Sequence, residues 1–347
     1  MPAALNFSTL AAVGAVDNWC FTVHSLDMNE TAEYPLDKLP ARGSGRWSDY
    51  CAGVAKELLA RSVPLTGAEV MLTGDVPRNA GLSSSASLEV TTALALLSLN
   101  GEQRRLSGEE ISLLCQSAEN NFVGAPCGIM DQFVSLHGKA GHALVFDCRS
   151  LEYEYVTIPA RLRLVIANSM VKHSVAGGEY RERRAQVDEG TRLLAEIYPE
   201  VQLLRDVSLQ ELEAARAQLP EVIYRRCLHV ISDSGRVLQA RAMLQHGDIA
   251  GFGRLLVAAH ASYRDDFAAS CAECDTLVEL AIHLPGCYGS RLTGGGFGGC
   301  TVSLVEAQDA ENFRESLRED YCAATGIAAD VWICEIADGA RECELAC

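Results

Sequence analysis

The sequence lacks several features that define common functional classes. No run of about eighteen apolar residues is present, which excludes a membrane-spanning helix. Its 29 Lys and Arg residues against 46 Asp and Glu residues give a formal charge of −17, which argues against a general nucleic-acid-binding protein. Neither an H-E-x-x-H metalloprotease motif nor a Walker A loop occurs. Residues 1–16 contain no Lys or Arg and are not typical of a secretory signal.

Cysteine is abundant, but its arrangement is not typical of a metal site. Of the fourteen cysteines, only Cys271 and Cys274 form a C-x-x-C pair. A single pair, with neither a second pair nor a histidine cluster, is weak evidence for zinc. We therefore expect reduced thiols in a cytoplasmic protein.

The length of 347 residues is enough for two domains of ordinary size.

The most informative stretch is a serine-rich loop before a helix. The glycine-containing segment 76–82 leads into Ser83, Ser84 and Ser85, and the sequence predicts a helix over 86–99. The start of a helix presents backbone N–H groups and the positive end of the helix dipole, and hydroxyls add ligands for phosphate or Mg²⁺. The alternative is an ordinary helix cap, for which serine is also preferred. The residues alone leave both interpretations open.

Two acidic residues stand out in largely apolar surroundings. Ser107 and Glu110 form a capping-box pattern that predicts a helix, and Glu119 lies just off its apolar face, where a solvated flank residue is the common case. Asp131 lies in the stretch 122–133, where glycine and proline predict a loop. An Asp so placed is seldom buried unless it is paired or functional, so Asp131 is either a helix cap or a functional acid.

A second glycine-rich loop lies near the C-terminus. Gly294–Gly299 satisfies G-x-G-x-x-G, but it is followed by the strand-like segment 301–305 and not by a helix. It therefore fails as a dinucleotide-binding fingerprint.

The polar segment 29–45 is interrupted by prolines and is expected to be mostly loop.

These motifs carry a resemblance to a known family. Pro77–Ala86 resembles the second signature motif of the GHMP kinases, and its extension Gly81–Val90 is similar to the galactokinases in particular. Cys127–Gln132 is closely similar to a galactokinase segment, and Gly289–Cys300 resembles the third GHMP motif. The resemblance extends over essentially the whole chain.

The resemblance implies a two-domain α+β GHMP kinase fold with the active site in the interdomain cleft. The N-terminal domain is expected over residues 1–160 and the C-terminal domain, with helices over an antiparallel sheet, over 161–347. The implied reaction transfers the γ-phosphoryl group of ATP, with Mg²⁺, to the anomeric hydroxyl of galactose. The alternatives are a kinase of N-acetylgalactosamine or another hexose, and a non-catalytic relative that senses ATP and galactose. We expect a cytoplasmic monomer with small-molecule substrates and no nucleic-acid or membrane partner.

The same resemblance implies roles for individual residues. Asp131 would face the anomeric hydroxyl and accept or orient its proton. Glu119 would hold Mg²⁺ together with Ser85, Trp47 would stack on the adenine, and Tyr180 would contact the sugar. The other expected binding residues belong to the loops: Gly81, Ser83, Ser84, Ser85 and Ala86 for ATP, and Gly128 for the sugar. For Arg183 and Arg184, which follow Tyr180, we prefer a solvated helix flank.

One family signature has no copy in the sequence. The first GHMP motif is absent, and Met1–Leu5 resembles the family's sequence just after it. We therefore expect the chain to begin inside its first domain, without an Arg that pairs with the catalytic Asp and without several sugar-binding groups. The first strand would then have an open edge.

Overall fold

The computed structural model describes residues 1–78, 80–103, 105–172 and 178–343. Its backbone divides into two compact units. The first unit comprises Met1–Arg78, Ser83–Tyr155 and Glu335–Cys347, and the second comprises Asn79–Leu82 and Val156–Cys334. Asn79, part of the predicted phosphate loop, lies outside the described residues.

A four-stranded sheet forms the base of the first unit. Its strands lie in the order β1-β4-β2-β3, and β4 pairs parallel with β2 and antiparallel with β1. The strands are β1 (Thr9–Val16), β2 (Cys20–Ser25), β3 (Glu30–Pro35) and β4 (Gly67–Gly74). Strand β3 shows that the loop prediction for 29–45 was wrong over this segment, because the edge of β2 pairs with it despite its polar sequence.

Four helices cover one face of this sheet. They are α1 (Asp49–Ala60), α2 (Ser84–Leu99), α3 (Gly108–Ser117) and α4 (Met130–His137). The capping box at Ser107 and Glu110 is confirmed, with both reciprocal hydrogen bonds present. Helix α3 runs directly into a π-helical segment, Ala118–Val123. Such wide turns are uncommon and often lie at functional sites.

Helix α4 is held in place by an aromatic contact with a small two-stranded sheet. That sheet consists of β5 (His142–Phe146) and β6 (Tyr153–Thr157). Phe133 is fully buried and stacks on Phe146 with ring centroids 4.0 Å apart. Because α4 carries Asp131 and Gln132, this contact fixes the position of both polar residues.

The second unit is built on an antiparallel sheet, as the family resemblance implies for the C-terminal part. The strand order is β10-β7-β9-β8. The strands are β7 (Leu162–Lys172), β8 (Cys287–Leu292), β9 (Gly298–Glu306) and β10 (Asp330–Cys334). The helices are α5 (Gly178–Ile197), α6 (Leu209–Ala215), α7 (Glu221–Gln245), α8 (Ile249–Asp265), α9 (Ala272–His283) and α10 (Ala310–Thr325). None of the helices in the described ranges is long and apolar enough to cross a bilayer.

Helix α8 and strand β8 approach each other backbone to backbone through a glycine pair. A Cβ atom added to Gly253 would lie 2.0 Å from the carbonyl oxygen of Tyr288, and one added to Gly289 would lie 2.1 Å from the carbonyl oxygen of Gly253. By contrast, a Cβ at Gly235 in α7 would meet no atom within 4 Å. Gly253 and Gly289 are therefore required for the close packing of α8 on β8, whereas a larger residue fits at Gly235.

We predict opposite effects of alanine at these two helical glycines. Gly253→Ala should lower the free energy of unfolding by about 3 kcal/mol, because the added methyl group forces α8 away from β8. The matched control Gly235→Ala should raise it by up to about 1 kcal/mol through helix propensity. Urea unfolding of both variants measures this difference. Equal effects of the two substitutions would contradict the packing described.

Candidate active site

The serine-rich loop does not form an ordinary helix cap. Ser83 occupies the N-cap position of α2 but has φ 58° and ψ 39°, and within the described residues its side chain makes no capping hydrogen bond. This left-handed conformation is uncommon for residues other than glycine. The cap interpretation is therefore wrong for Ser83, and its hydroxyl is not engaged by the helix it precedes. Ala86 differs from its serine neighbours because its side chain is buried in the first unit.

One face of α2 meets the π-helical segment and α4 through a buried polar cluster. Ser85 and Glu89 are four residues apart and lie on that face. The side chain of Ser85 lowers the pKa of Glu119, which lies in the π-helical segment. The Nε2 group of Gln132 donates to Glu119 Oε2 at 2.8 Å and to Glu89 Oε2 at 3.1 Å. One side-chain amide thus bridges two carboxyl groups.

The two bridged carboxyl groups differ in their ability to ionise. Glu89 is fully buried, and burial together with the charge of Glu119 raises its pKa to about 9. The pKa of Glu119 is also raised by burial, but hydrogen bonds from Cys127, Ser85 and Gln132 oppose that shift. We infer that Glu89 stays protonated at neutral pH, whereas Glu119 is the carboxyl group that ionises more readily.

Hydrogen bonds between side chains and the backbone of Cys127 fix the loop between the π-helical segment and α4. The Cys127 N–H donates to Asn120 Oδ1 at 2.7 Å, and its carbonyl accepts from Gln116 Nε2 at 3.2 Å and from Asn120 Nδ2 at 3.3 Å. The Cys127 thiol donates to Glu119 Oε2 at 3.3 Å. Gly128 follows this clamped residue and is exposed.

Asp131 is part of the same electrostatic cluster but is not a helix cap. It lies in the first turn of α4, whose N-cap position is Ile129, so the capping interpretation is wrong. Its side chain is half-buried, and its charge raises the pKa of both Glu89 and Glu119. Within the described part of the chain its carboxylate has no hydrogen-bonding partner, which leaves it available to a ligand.

The predicted base-stacking and sugar-contacting residues lie outside this cluster. Trp47 is half-buried against the core of the first unit, and its Nε1–H donates to Glu30 Oε2 at 2.7 Å. Tyr180 belongs to the second unit, lies in the first turn of α5 and is 42 % exposed. Both side chains therefore retain an exposed surface that a ligand can contact.

In the second unit, the glycine-rich loop packs on the start of the phosphate loop. A Cβ at Gly294 would lie 3.1 Å from the carbonyl oxygen of Gly81, and one at Gly299 would lie 3.2 Å from that of Ala80. Gly81 and Gly294 both have positive φ, at 74° and 82°. Any larger residue at these positions would need a strained backbone.

The interpretation of Arg183 as a solvated flank residue is wrong. Its guanidinium group donates to the carbonyl of Ala268 at 3.2 Å and lies 5.8 Å from the centre of the Phe297 ring. Its side chain is only 14 % exposed, so it links α5 to the glycine-rich loop. Arg184 is 70 % exposed and pairs with Asp188, as expected for a flank residue.

Sequence analysis missed Glu89 and Gln132. Glu89 is an acid within the largely apolar helix sequence 86–99, and an acid in apolar surroundings is the same signal that singled out Asp131. Gln132 follows Asp131 directly, but nothing in the sequence indicates that its amide joins two acids. Only the packing of α4 against α2 brings these groups together.

The residues present fit a weakly ligated magnesium ion better than a closed metal cage. Within the described residues, no group of three or more His, Cys, Asp or Glu side chains is arranged to hold a metal. The pair Glu119 and Ser85 supplies one carboxylate and one hydroxyl. Mg²⁺ commonly binds one or two carboxylates and takes its remaining ligands from water and substrate phosphates.

Comparison with known proteins agrees with this arrangement. The model of the GHMP kinases N terminal domain matches residues 49–139, and that of the GHMP kinases C terminal domain matches residues 240–322. A galactokinase of Roseiflexus sp. is 43% identical over 97% of this chain and 86% of its own length. A galactokinase of Homo sapiens is 45% identical over 92% of this chain and 79% of its own length.

A solved structure extends the similarity to the fold. The crystal structure of Lactococcus lactis galactokinase complexed with galactose superposes with a TM-score of 0.92 at 29% identity, covering 97% of this chain and 87% of the other. The α+β architecture expected from the sequence is therefore confirmed. The chain belongs to the GHMP kinase family and, within it, to the galactokinases.

Proposed function

We propose that the protein is a galactokinase, which transfers the γ-phosphoryl group of ATP to the anomeric hydroxyl of galactose. The observation that carries the proposal is the cluster in which Ser85 and Asp131 both act on the carboxyl group of Glu119, in a chain that is 43% identical to a galactokinase over 97% of its length. Phosphoryl transfer requires positioning and charge neutralisation more than covalent chemistry. The cluster supplies both.

Asp131 is the group that acts on the sugar in this proposal. Its carboxylate is half-buried and accepts no hydrogen bond from the described residues, so the anomeric O–H can donate to it. It accepts that proton as the new O–P bond forms, or it orients the hydroxyl for attack. Gly128 and Tyr180 are exposed and are proposed to contact the sugar.

The serine loop receives the phosphates. The hydroxyls of Ser83 and Ser84, with the first N–H groups of α2, which include that of Ser85, donate to phosphate oxygens, since the start of a helix favours negative charge. Gly81 and Ala86 contribute backbone groups, and Trp47 stacks on the adenine. Glu119 and Ser85 would hold Mg²⁺, which neutralises phosphate charge when it is bound.

We propose that the N-terminal kinase domain spans residues 1–160 and the C-terminal kinase domain residues 161–347. The cytoplasmic location and the monomeric state stay predictions. Gel filtration of the purified protein measures the latter.

Galactose-dependent ADP formation with Mg-ATP tests the proposed function. We expect turnover with galactose, and a loss of about 10²- to 10⁴-fold in kcat for Asp131→Asn with ATP affinity retained, because the variant loses only proton transfer or orientation. Asp37→Asn, an exposed acid of the first unit, is the matched control.

Other outcomes of that assay separate the alternatives. Preferential turnover of N-acetylgalactosamine would assign the chain to another hexose. Binding of ATP and galactose without ADP release would identify a sensing relative.

Glu119→Gln tests the proposed metal ligand. We expect the Mg²⁺ concentration for half-maximal rate to rise about tenfold or more, because the neutral amide is a poor ligand for a hard cation. Cys127→Ala is the matched control, since it removes a neutral hydrogen bond to the same carboxylate, and it should change this concentration by less than about threefold. An equal response of the two variants would argue against direct ligation.

Glu89→Gln tests the protonated state of the buried acid. Folded Glu89 keeps its proton up to about pH 9, whereas the unfolded chain loses it near about pH 4.3. The folded state therefore binds more protons between these values, and its contribution to stability is lost as pH rises. The free energy of unfolding of the wild type should therefore fall between pH 5.5 and 8.5. In Glu89→Gln this fall should be smaller, by up to about 1.4 kcal/mol per pH unit.

Thermal unfolding across this pH range measures the effect. The exposed Glu200→Gln is the matched control and should follow the wild-type slope. A wild-type slope in Glu89→Gln would show that Glu89 is ionised in the folded protein.

A further inference from the structure

The Cys271 and Cys274 pair takes no part in the proposed reaction, but it lies at the start of a helix, where a Cys-x-x-Cys pair is suited to thiol–disulfide exchange. Cys271 is the N-cap residue of α9, and Cys274 is the third residue inside the helix. Side chains at these two positions lie next to each other, as they do in a capping box. From helix geometry the Cα atoms of residues three apart are about 5 Å apart, a separation that a disulfide can span. Cys271 is half-buried and Cys274 is buried, so solvent reaches the first thiol only.

The two thiols also differ in acidity. The more exposed thiol, Cys271, is the more acidic, as thiol–disulfide exchange requires. A hydrogen bond from the Cys274 side chain lowers the pKa of Cys271 to about 7, against the opposing effect of burial. The same hydrogen bond and burial raise the pKa of Cys274 well above its usual range. Because the thiolate is the attacking species, Cys271 reacts first with an external disulfide.

The dithiol lies against the glycine-rich loop of the same unit. Cys274 Sγ is 3.9 Å from the carbonyl oxygen of Gly299. The carbonyl of Ala269 accepts a 2.8 Å hydrogen bond from the Phe297 N–H, and a Cβ at Gly296 would lie 2.2 Å from that same oxygen. A shift of the segment that carries the two cysteines therefore displaces the loop backbone.

We propose that Cys271 and Cys274 form a reversible disulfide by exchange with a low-molecular-weight disulfide such as oxidised glutathione, and that closing this bond rearranges the glycine-rich loop. Formation of the disulfide is independent of the proposed function. Only its effect on turnover rests on the chain being a galactokinase.

The exchange proceeds in two balanced steps. The Cys271 thiolate attacks one sulfur of oxidised glutathione, forms a mixed disulfide and releases one glutathione thiolate. The Cys274 thiol then attacks Cys271 Sγ and expels the second glutathione, and the Cys274 proton passes to a released thiolate. Two protein sulfurs are oxidised while one glutathione disulfide is reduced to two glutathione molecules.

Peptide mapping after equilibration in glutathione buffers tests the bond itself. The tryptic peptide 265–291 contains Cys271, Cys274 and Cys287, so fragmentation locates the bond and Cys287 serves as an internal control. We expect a Cys271–Cys274 disulfide that increases with the oxidised fraction, disappears with dithiothreitol and leaves Cys287 alkylated. Two alkylated thiols at every ratio, or only a glutathione adduct on Cys271, would overturn the proposal.

The effect on the loop is measured on the full-length protein in both redox states. Oxidation should change amide hydrogen exchange over residues 293–299 and lower kcat/KM for ATP by about fivefold or more. Cys274→Ala should lose both responses, and Cys271→Ser gives a second test if burial makes the first variant unstable. Cys322→Ser, an exposed cysteine on α10, should respond like the wild type.

The outcomes separate this inference from the proposed function. A disulfide that forms without any change in hydrogen exchange would overturn the link to the loop. If the reduced protein shows no galactose-dependent turnover, the proposed function fails. Peptide mapping and hydrogen exchange still show whether the disulfide forms and whether it alters the glycine-rich loop.

Discussion

The hydrogen bonds from the side-chain amide of Gln132 to Glu89 and Glu119 are the interaction on which the candidate site depends. Two carboxyl groups buried this close cannot both ionise without a large cost, so one keeps its proton. Glu89, the more deeply buried, takes that role. The arrangement leaves Glu119 as the charged group that faces Ser85, and with Asp131 nearby it gives the site a net negative charge that a magnesium ion would balance.

The scaffold around this interaction explains how the cluster is kept rigid. Stacking of Phe133 on Phe146 fixes α4, and therefore fixes Gln132, whose amide must reach both acids. The π-helical segment turns Glu119 inward, whereas a regular continuation of α3 would leave it just off the buried stripe. Helix α2 contributes Ser85 and Glu89 from one face. Three separate elements thus meet at one polar point inside an apolar core, where an unsatisfied group is costly.

Local signals in the sequence predicted the features that depend on short segments. The capping box at Ser107 follows from spacing and the glycine-rich loop from its composition, whereas the antiparallel sheet of the second unit was implied only by the family resemblance. Strand β3 was missed because its polar sequence gains its conformation from pairing with β2. The environment of Arg183 and the bridging role of Gln132 were missed for a related reason: each depends on contacts between residues distant in sequence, which no local pattern records.

The central claim is that Glu89 is a neutral acid beside a charged Glu119. Infrared difference spectroscopy of the wild type against Glu89→Gln at pH 7 tests it most directly, because a protonated carboxyl group and a carboxylate absorb in separate regions. The account predicts a protonated carboxyl band in the wild type that is absent from the variant. A wild-type spectrum that loses only a carboxylate band on substitution would show that Glu89 is ionised, and the charge balance described for the site would be wrong.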